Sequence, residues 1–458
     1  MRLIHVDDFE MVTVASAEEA AAIEYAILSH TWGDEEVTYQ DFISHDPQDR
    51  DGSSNKGFNK ILACCAQARR DGIQLVWIDT CCIDKTNSVE LSEAINSMYS
   101  WYWHSTVCYA YLEDVEPATH GDNISKSSSF RQARWFSRGW CLQELIAPSK
   151  VEFYARDWSD IGTKWSLREK ITEITGIPGE VLLTRHLKKY SIAQKMSWAA
   201  ERETTRIEDL SYCLLGIFDV NMPLLYGEGE RAFTRLQKEM IARGEDSSFL
   251  LWTSGYFKGF RITDSKKGKT CAVLALHPND FPRDGLRHAQ DSEQSPLSYE
   301  EILRVDPSSL LAAQNVDNLM AWTDRRPPQL TSRGLHVKMF MGKVGPGEWE
   351  GRECRLLWTG CTYRGLNICV QIIMSASADW TVVYERACTD RVWLIDTNSF
   401  AKFQVCEIYL ATDNRRDPHL DSITFRDKLL RAFPETDIDL FLTSKGTAKL
   451  KLEKSSLP

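Results

Sequence analysis

The chain has 458 residues, 43% of them hydrophobic and 26% charged, so it is long enough for two or three folded domains and is not predicted to be largely disordered. Its formal net charge is −11 at pH 7, with acidic residues spread along the chain, and this charge disfavours a nucleic-acid partner. The N-terminal segment has no apolar signal core, and no later stretch reaches the ~20 apolar residues that a membrane span needs. We therefore expect a cytoplasmic protein without a membrane span.

The 13 cysteines do not follow a metal-binding pattern. Two adjacent pairs occur, Cys64-Cys65 and Cys81-Cys82, but no Cys-x-x-Cys is followed by a second such pair or by paired histidines. An odd number of cysteines in an intracellular chain predicts reduced, mostly buried thiols. We expect neither a metal site nor a disulfide framework.

Short apolar runs alternate with helical periodicity in the first 160 residues. Helices are predicted from Phe58 to Gly72, from an N-cap at Ser88 to Tyr102, and from Gly139 onward. This alternation predicts an α/β domain over residues 1–160, with a parallel sheet and helices on both faces. The predicted strands are Ala22–Ser29, Leu75–Asp84, Val107–Leu112 and Val151–Ala155, and polar loops are predicted at Asp46–Lys56 and Glu116–Ser129.

The remainder of the chain divides into a helical extension and a β-rich region. Residues 161–245 show helical periodicity, and Tyr226–Glu230 precedes the last helix with two glycines and two glutamates. Those glutamates disfavour a phosphate-binding loop, since an anion site needs free amides or cations. Residues 246–458 are predicted to form a mostly antiparallel β domain, with strands at 249–252, 334–339, 355–358, 368–373 and 391–395.

Polar residues follow the predicted strands of the first domain, at His30–Glu35, at Asp79–Asp84 and at Glu113-Asp114. Ligands of open α/β sheets lie beyond the carboxyl ends of the strands, where these residues are expected. In the helix predicted from Gly139, Trp140 and Glu144 stand one turn apart. We expect Glu144 to face a cavity at this edge of the sheet, while the plainer interpretation is a packing helix with one salt-bridged glutamate.

Three blocks carry a resemblance to a known family: Ser29-His30-Thr31-Trp32-Gly33, the block from Trp77 to Asp84, and the block from Trp135 to Glu144. Their order resembles the signature of the heterokaryon incompatibility (HET) domain of filamentous fungi, over roughly residues 20–160. The resemblance implies a role in programmed cell death after the fusion of incompatible cells. One departure is Lys85, where the family more often has Gln.

A second resemblance concerns the Toll/interleukin-1 receptor (TIR) domain, to which the HET family has been related. Trp140, Cys141, Leu142, Glu144 and Leu145 are similar to the Trp-Cys-Leu-x-Glu-Leu segment of plant TIR domains, whose glutamate is needed for NAD cleavage. The resemblance implies a flavodoxin-like (TIR-like) parallel sheet and an NAD glycohydrolase in which Glu144 is catalytic. NAD would be the substrate, and no cofactor is implied.

Cleavage of the nicotinamide–ribose bond passes through a ribose with oxocarbenium character. A carboxylate such as Glu144 suits this chemistry, because it accepts hydrogen bonds from the ribose hydroxyls and faces the developing cation. Arg138 would meet the pyrophosphate. The other candidate substrate-binding residues are Ser29, His30, Trp32, Asp79 and Trp140. Each also has an ordinary structural interpretation as a core, capping, loop or ion-pairing residue.

Three functions are therefore compared. The favoured one is a cell-death effector that hydrolyses NAD or a related nucleotide when self-associated. The second is a non-enzymatic signalling module that oligomerises and recruits partners. The third, a cysteine hydrolase using Cys81 or Cys82 with His30, is disfavoured because burial raises the pKa of a thiol.

Overall fold

A computed structural model describes residues 1–44, 55–117, 128–243, 246–252 and 272–281, and, between 328 and 454, mainly β-strand segments. Most of the two predicted polar loops, at Asp46–Lys56 and Glu116–Ser129, lies outside the described residues. The chain divides into two compact units, residues 1–188 with 201–236, and residues 189–200 with 237–458. Within the described part, no helix is both long enough and apolar enough to cross a bilayer.

The first unit is built on a seven-stranded mixed sheet. Its strands are β1 (Arg2–His5), β2 (Met11–Thr13), β3 (Ala26–His30), β4 (Leu75–Trp77), β5 (Val107–Tyr111), β6 (Val151–Tyr154) and β7 (Asp160–Thr163). The order across the sheet is β2-β1-β4-β3-β5-β6-β7. The central β4, β3, β5 and β6 are parallel, whereas β1, β2 and β7 add antiparallel edges. The predicted α/β class is confirmed. The sheet is mixed rather than parallel, because it has antiparallel edge strands that the sequence analysis did not predict.

Helices connect the parallel strands, as the alternating pattern predicts. They are α1 (Ala17–Ala22), α2 (Tyr39–Ser44), α3 (Lys56–Arg70), α4 (Asp79–Cys82), α5 (Ser88–His104), α6 (Ser128–Gln132) and α7 (Cys141–Ile146). α3 ends just before Gly72, whose φ of +76° favours glycine. α5 is capped by Asn87, not by Ser88 as predicted, because the Asn87 side chain accepts hydrogen bonds from two backbone amides.

Two strand boundaries differ from the prediction for local reasons. The strand predicted from Ala22 begins only at Ala26. Ala22 is instead the last residue of α1, a helix that is capped by Ser16. The strand predicted over 75–84 ends at Trp77, and residues 79–82 form the single turn of α4. This turn places Asp79 directly at the carboxyl end of β4.

Residues 161–245 are largely helical, as predicted. They contain α8 (Arg168–Thr175), α9 (Gly179–Thr184), α10 (Ile192–Ala199), α11 (Asp209–Tyr212), α12 (Leu215–Phe218) and α13 (Arg231–Arg243). α10 belongs to the second unit, and α13 crosses the division between the units after Leu236. The predicted boundaries at 160 and 245 stay a prediction.

The second unit contains a small β-barrel. Its strands are β8 (Gln329–Thr331), β9 (Gly334–Gly342), β10 (Glu348–Trp349), β11 (Arg352–Tyr363), β12 (Leu366–Ala376), β13 (Val382–Arg386), β14 (Trp393–Ile395) and β15 (Gln404–Leu410). The sheet order closes on itself through an additional pairing of β11 with β9. Only the β13–β15 pair is parallel among the strand pairs of this sheet in the described part.

Two further strands, β16 (Thr436–Leu442) and β17 (Ala448–Lys454), form a separate antiparallel pair. The predicted β-rich character of this region is confirmed. One predicted strand is wrong, since residues 247–250 form a short 3₁₀ turn that begins after a cap at Asp246.

Candidate functional site

The candidate site lies at the carboxyl ends of β3 and β4. Ser29 and His30 are the last two residues of β3, and Asp79 is the first residue of α4 after β4. Glu144 reaches the same region from α7. We call Ser29, His30, Trp32, Asp79 and Glu144 the rim cluster. The structure therefore brings together five of the seven predicted site residues.

Glu144 is buried in the protein, so the expectation that it faces an open cavity at the edge of the sheet is wrong. All six residues of α7 are buried, and Glu144 itself is only 7% exposed. One carboxylate oxygen, Oε2, accepts a short hydrogen bond from the Ser29 hydroxyl. Burial raises the pKa of Glu144, the Ser29 hydrogen bond opposes the rise and the nearby Asp79 charge adds to it, with a net value of about 8. Glu144 is therefore mostly protonated at neutral pH in the free protein.

Trp135 fixes the orientation of the Ser29 hydroxyl, and the sequence interpretation did not identify it as a site residue. Its indole Nε1 donates to Ser29 Oγ at 2.7 Å, and the side chain is fully buried. Ser29 thus accepts from Trp135 and directs its own proton to Glu144. The signal was present in the sequence, because a buried Trp needs an acceptor for its N–H.

Asp79 is the second carboxylate of the rim cluster, and it stays ionised. Its Oδ1 lies 3.1 Å from His30 Nε2, and its Oδ2 accepts from Trp32 Nε1 at 2.8 Å. Burial alone would raise the pKa of Asp79, but the His30 hydrogen bond, the Lys85 charge and the Trp32 hydrogen bond hold it well below its usual range. The two carboxyl groups therefore differ in protonation at neutral pH.

Lys60 determines which nitrogen of His30 carries the proton. The Lys60 ammonium lies 2.9 Å from His30 Nδ1 and 2.5 Å from the Glu36 carboxylate. An ammonium group only donates, so Nδ1 is the acceptor, and Nε2 carries the proton that His30 donates to Asp79. Lys60 lies on α3, a helix that the sequence interpretation used only for its apolar side.

Trp140 does not join the rim cluster. Its backbone carbonyl receives the Glu144 N–H at 3.5 Å, which agrees with the predicted one-turn spacing. Its indole instead hydrogen-bonds the carboxylate of Asp209 on α11. A partner far along the chain thus holds the indole N–H, and the placement of the Trp140 ring beside Glu144 stays a prediction.

Arg138 is likewise directed toward the helical extension, where Nη1 lies 3.4 Å from Thr205 Oγ1. Its charge is still close enough to oppose the raised pKa of Glu144. The neighbouring Gly139 donates its N–H to the Glu203 carbonyl at 2.8 Å. A Cβ at Gly139 would lie 2.5 Å from the Thr204 side chain, so glycine permits this close approach.

The cysteine alternative has little geometric support. Cys81 and Cys82 are buried, and the Cys81 thiol lies 3.9 Å from the carbonyl of Ile78. Burial raises the pKa of Cys81 well above its usual value. His30 Nε2 is already engaged with Asp79. Among the described residues, no group of His, Cys, Asp and Glu has a metal-binding arrangement.

The glycine loop before α13 does not present free amides to an anion. Gly227 and Gly229 donate their N–H groups to the Glu208 carboxylate at 2.8 and 3.1 Å. These bonds lower the pKa of Glu208, although burial opposes them. The loop is thus closed by a carboxylate, in agreement with the argument against a phosphate site.

A surface cavity of about 510 Å³ lies elsewhere in the first unit, along the N-terminal half of α5. Its lining includes Ser88, Val89, Ser92, Asn96, Pro223 and Leu224. None of the seven predicted site residues lines it.

The fold and the rim cluster define an α/β domain with two unlike carboxyl groups at the carboxyl ends of adjacent parallel strands. Residues 25–127 match the family model described as heterokaryon incompatibility protein (HET), so this part of the chain is similar to that family, in agreement with the resemblance seen in the first two sequence blocks. No solved structure matches the chain significantly.

One curated relative is the vegetative incompatibility protein HET-E-1 of Podospora anserina, which is 45% identical over 275 residues. The match covers 59% of this chain and 19% of the relative. The chain therefore spans about one fifth of the length of that relative.

Proposed function

We propose that the chain acts in fungal vegetative incompatibility, as a cell-death effector, and that its HET domain hydrolyses the nicotinamide–ribose bond of NAD or a related nucleotide when self-associated. The incompatibility role is supported by the family match and by the name of the 45% identical relative. The enzymatic role is supported by one observation above all, the buried Glu144 carboxyl that Ser29 holds at the end of a parallel strand.

The strand order supports a TIR-like interpretation of the domain. Numbered along the chain, the four parallel strands β3, β4, β5 and β6 lie in the order 2-1-3-4. This order corresponds to the first four strands of a flavodoxin-like sheet, in which a nucleotide binds between the first and third strands. Ser29 and His30 end the first of these strands.

The proposed reaction consumes one water molecule. The bond between ribose C1′ and the nicotinamide nitrogen breaks, and its electron pair neutralises the ring nitrogen. The water oxygen bonds to C1′, and one proton is released. Glu144, in its ionised form, accepts hydrogen bonds from the ribose hydroxyls, faces the cationic ribose and takes up the proton. A carboxyl pKa near that of the medium is suited to such proton transfer.

The exposure of Glu144 also favours a requirement for activation. With 7% of Glu144 exposed, a ribose reaches the carboxyl only after the covering side chains move. We propose that self-association supplies this opening, so that the isolated chain is the resting form. The same low exposure favours the alternative function, a non-enzymatic module that oligomerises and recruits partners.

Nucleotide consumption distinguishes the two functions. Purified full-length protein, assayed over a concentration series that reaches self-association, is incubated with NAD, and nicotinamide and ADP-ribose are quantified by chromatography. Glu144→Gln is expected to abolish product formation, whereas Glu169→Gln, at a glutamate whose side chain is 89% exposed, leaves it unchanged. Cell death that persists in the Glu144→Gln variant would instead establish the non-enzymatic module.

A further inference from the structure

Trp32 is an unusual member of the rim cluster, because 46% of it is exposed. Its indole N–H is held by Asp79 Oδ2 at 2.8 Å, so the orientation of the ring is fixed. A fixed and partly exposed aromatic ring beside an ionised carboxylate attracts a cation to the face of the ring.

A cation of the protein itself already occupies this position. Lys85 Nζ lies 3.5 Å from the centroid of the Trp32 ring. Burial lowers the pKa of Lys85, while the charges of Asp79 and Glu36 favour its charged form. The ammonium is thus a partly desolvated cation on the face of the ring, and the charges of two carboxylates favour its charged form.

A lysine ammonium does not require this ring for its own stability, because it is a compact and strongly hydrated charge. A flat organic cation fits the place beside Trp32 and Asp79 better, since it covers more of the Trp32 ring face and loses less hydration. The charged nicotinamide ring of NAD is a cation of this kind, and it becomes neutral once the bond to ribose has broken. A site that binds the cation more tightly than the neutral ring therefore retains the substrate and releases the neutral product.

We propose that Trp32 and Asp79 form a subsite for a flat organic cation, the nicotinamide ring of the substrate, and that Lys85 occupies this subsite in the free protein and competes with the ligand. The proposal rests on the proposed function, whose substrate class and regulation it specifies. Lys85→Gln removes the competing charge and keeps a polar side chain.

Ligand binding tests the subsite without any turnover. The probe is 1-methylnicotinamide, a cation, with neutral nicotinamide as the comparison, and binding to full-length protein carrying Glu144→Gln is measured by titration calorimetry. Adding Lys85→Gln is expected to tighten binding of the cation about tenfold, with little change for the neutral compound. Lys170→Gln, at a lysine paired with Glu173 on the surface, is the matched control and leaves both affinities unchanged.

The aromatic face is tested in the same background. Trp32→Leu, combined with Lys85→Gln, is expected to lose the gain in affinity, whereas Trp32→Phe keeps most of it. Circular dichroism and thermal unfolding verify that each variant is folded. The proposal is overturned if Lys85→Gln binds the cation no more tightly than the lysine form, or if Trp32→Leu leaves the tighter binding intact.

The outcome separates this proposal from the proposed function. Cation binding that follows the predicted pattern, together with no consumption of NAD by the wild-type protein, retains the subsite and rejects the hydrolase. Consumption of NAD with no effect of Lys85 or Trp32 on cation binding rejects the subsite alone.

Discussion

Ser29 and His30 are consecutive residues, yet each holds a different carboxyl group: the Ser29 hydroxyl donates to Glu144, and the His30 ring pairs with Asp79. Successive side chains of a strand point to opposite faces of the sheet, so one strand end positions both groups. The environments of the two groups separate their pKa values, as is typical of sites that perform acid–base chemistry.

The Ser29 hydroxyl is predicted to matter for both stability and activity. Ser29→Ala leaves the Trp135 indole without its acceptor and Glu144 without its donor, so it is expected to lower the free energy of unfolding by about 2 kcal/mol. Chemical denaturation measures the change. Ser211→Ala is the matched control, because Ser211 is fully buried but its hydroxyl has no hydrogen-bond partner among the described residues. Equal losses in the two variants would contradict a specific role for Ser29.

Glu144→Gln is predicted to change stability in a pH-dependent way. Folding raises the pKa of Glu144 from 4.5 to about 8, so the folded form favours the neutral acid. The contribution of Glu144 to the free energy of unfolding is full below the pKa of the unfolded chain and is lost as pH rises through the pKa of the folded protein. Glutamine does not titrate. The free energy of unfolding of Glu144→Gln, relative to that of the wild type, should therefore rise by about 3 kcal/mol between about pH 5 and about pH 8. Urea unfolding at several pH values measures this, and a difference independent of pH would contradict the buried environment of Glu144.

Lys164 is predicted to stabilise the helix that carries Glu144. Lys164 is 2% exposed, and its ammonium donates to the carbonyls of Leu145 and Pro148, at the end of α7. Burial lowers the pKa of Lys164 from 10.5 to about 7. A depressed folded pKa means that its contribution to stability grows as pH rises above about 7.

Replacing this lysine removes that dependence on pH. The wild-type advantage over Lys164→Met should grow by about 3 kcal/mol between about pH 7 and about pH 9.5, as measured by urea unfolding. Lys150→Met, at a lysine whose side chain is 56% exposed, is the control and should show no such trend. An advantage that stays constant or shrinks as pH rises would show that the group is not desolvated.

Gly139 is predicted to tolerate no larger residue, since a Cβ would approach the Thr204 side chain at 2.5 Å. Gly139→Ala is expected to lower the free energy of unfolding by about 1–3 kcal/mol through overpacking. Thr204→Ala in the same chain should restore part of the loss. Gly179→Ala serves as the control, because a Cβ at Gly179 would lie 3.7 Å from the nearest atom, Oγ1 of Thr172. Thermal unfolding compares the variants, and a neutral Gly139→Ala would contradict the close approach.

Local sequence patterns predicted the parts of the site that depend on local structure. Apolar runs located β3 and β4, and the rule that ligands lie at the carboxyl ends of strands brought His30 and Asp79 together. Helical spacing also placed Trp140 one turn before Glu144 correctly. The sequence did not predict the hydrogen-bond partner of the Trp140 indole, since that partner, Asp209, lies far along the chain on α11.

Lys60 and Trp135 were missed for a related physical reason. Helical periodicity reports which face of α3 is apolar, but it does not report that Lys60 reaches across to His30. Similarly, Trp135 was read as part of a family block, and its acceptor, Ser29, is 106 positions away. Long-range polar contacts of this kind follow from tertiary packing, which a single sequence does not specify.

The most direct test of the central claim is nicotinamide release from NAD by purified, self-associated protein, compared between wild type and Glu144→Gln. The wild type is expected to release nicotinamide and ADP-ribose in equal amounts, at a rate that rises with pH through about 8 as Glu144 ionises, and the variant is expected to release none. NAD that remains intact with the self-associated wild-type protein, or equal release by both proteins, would contradict it.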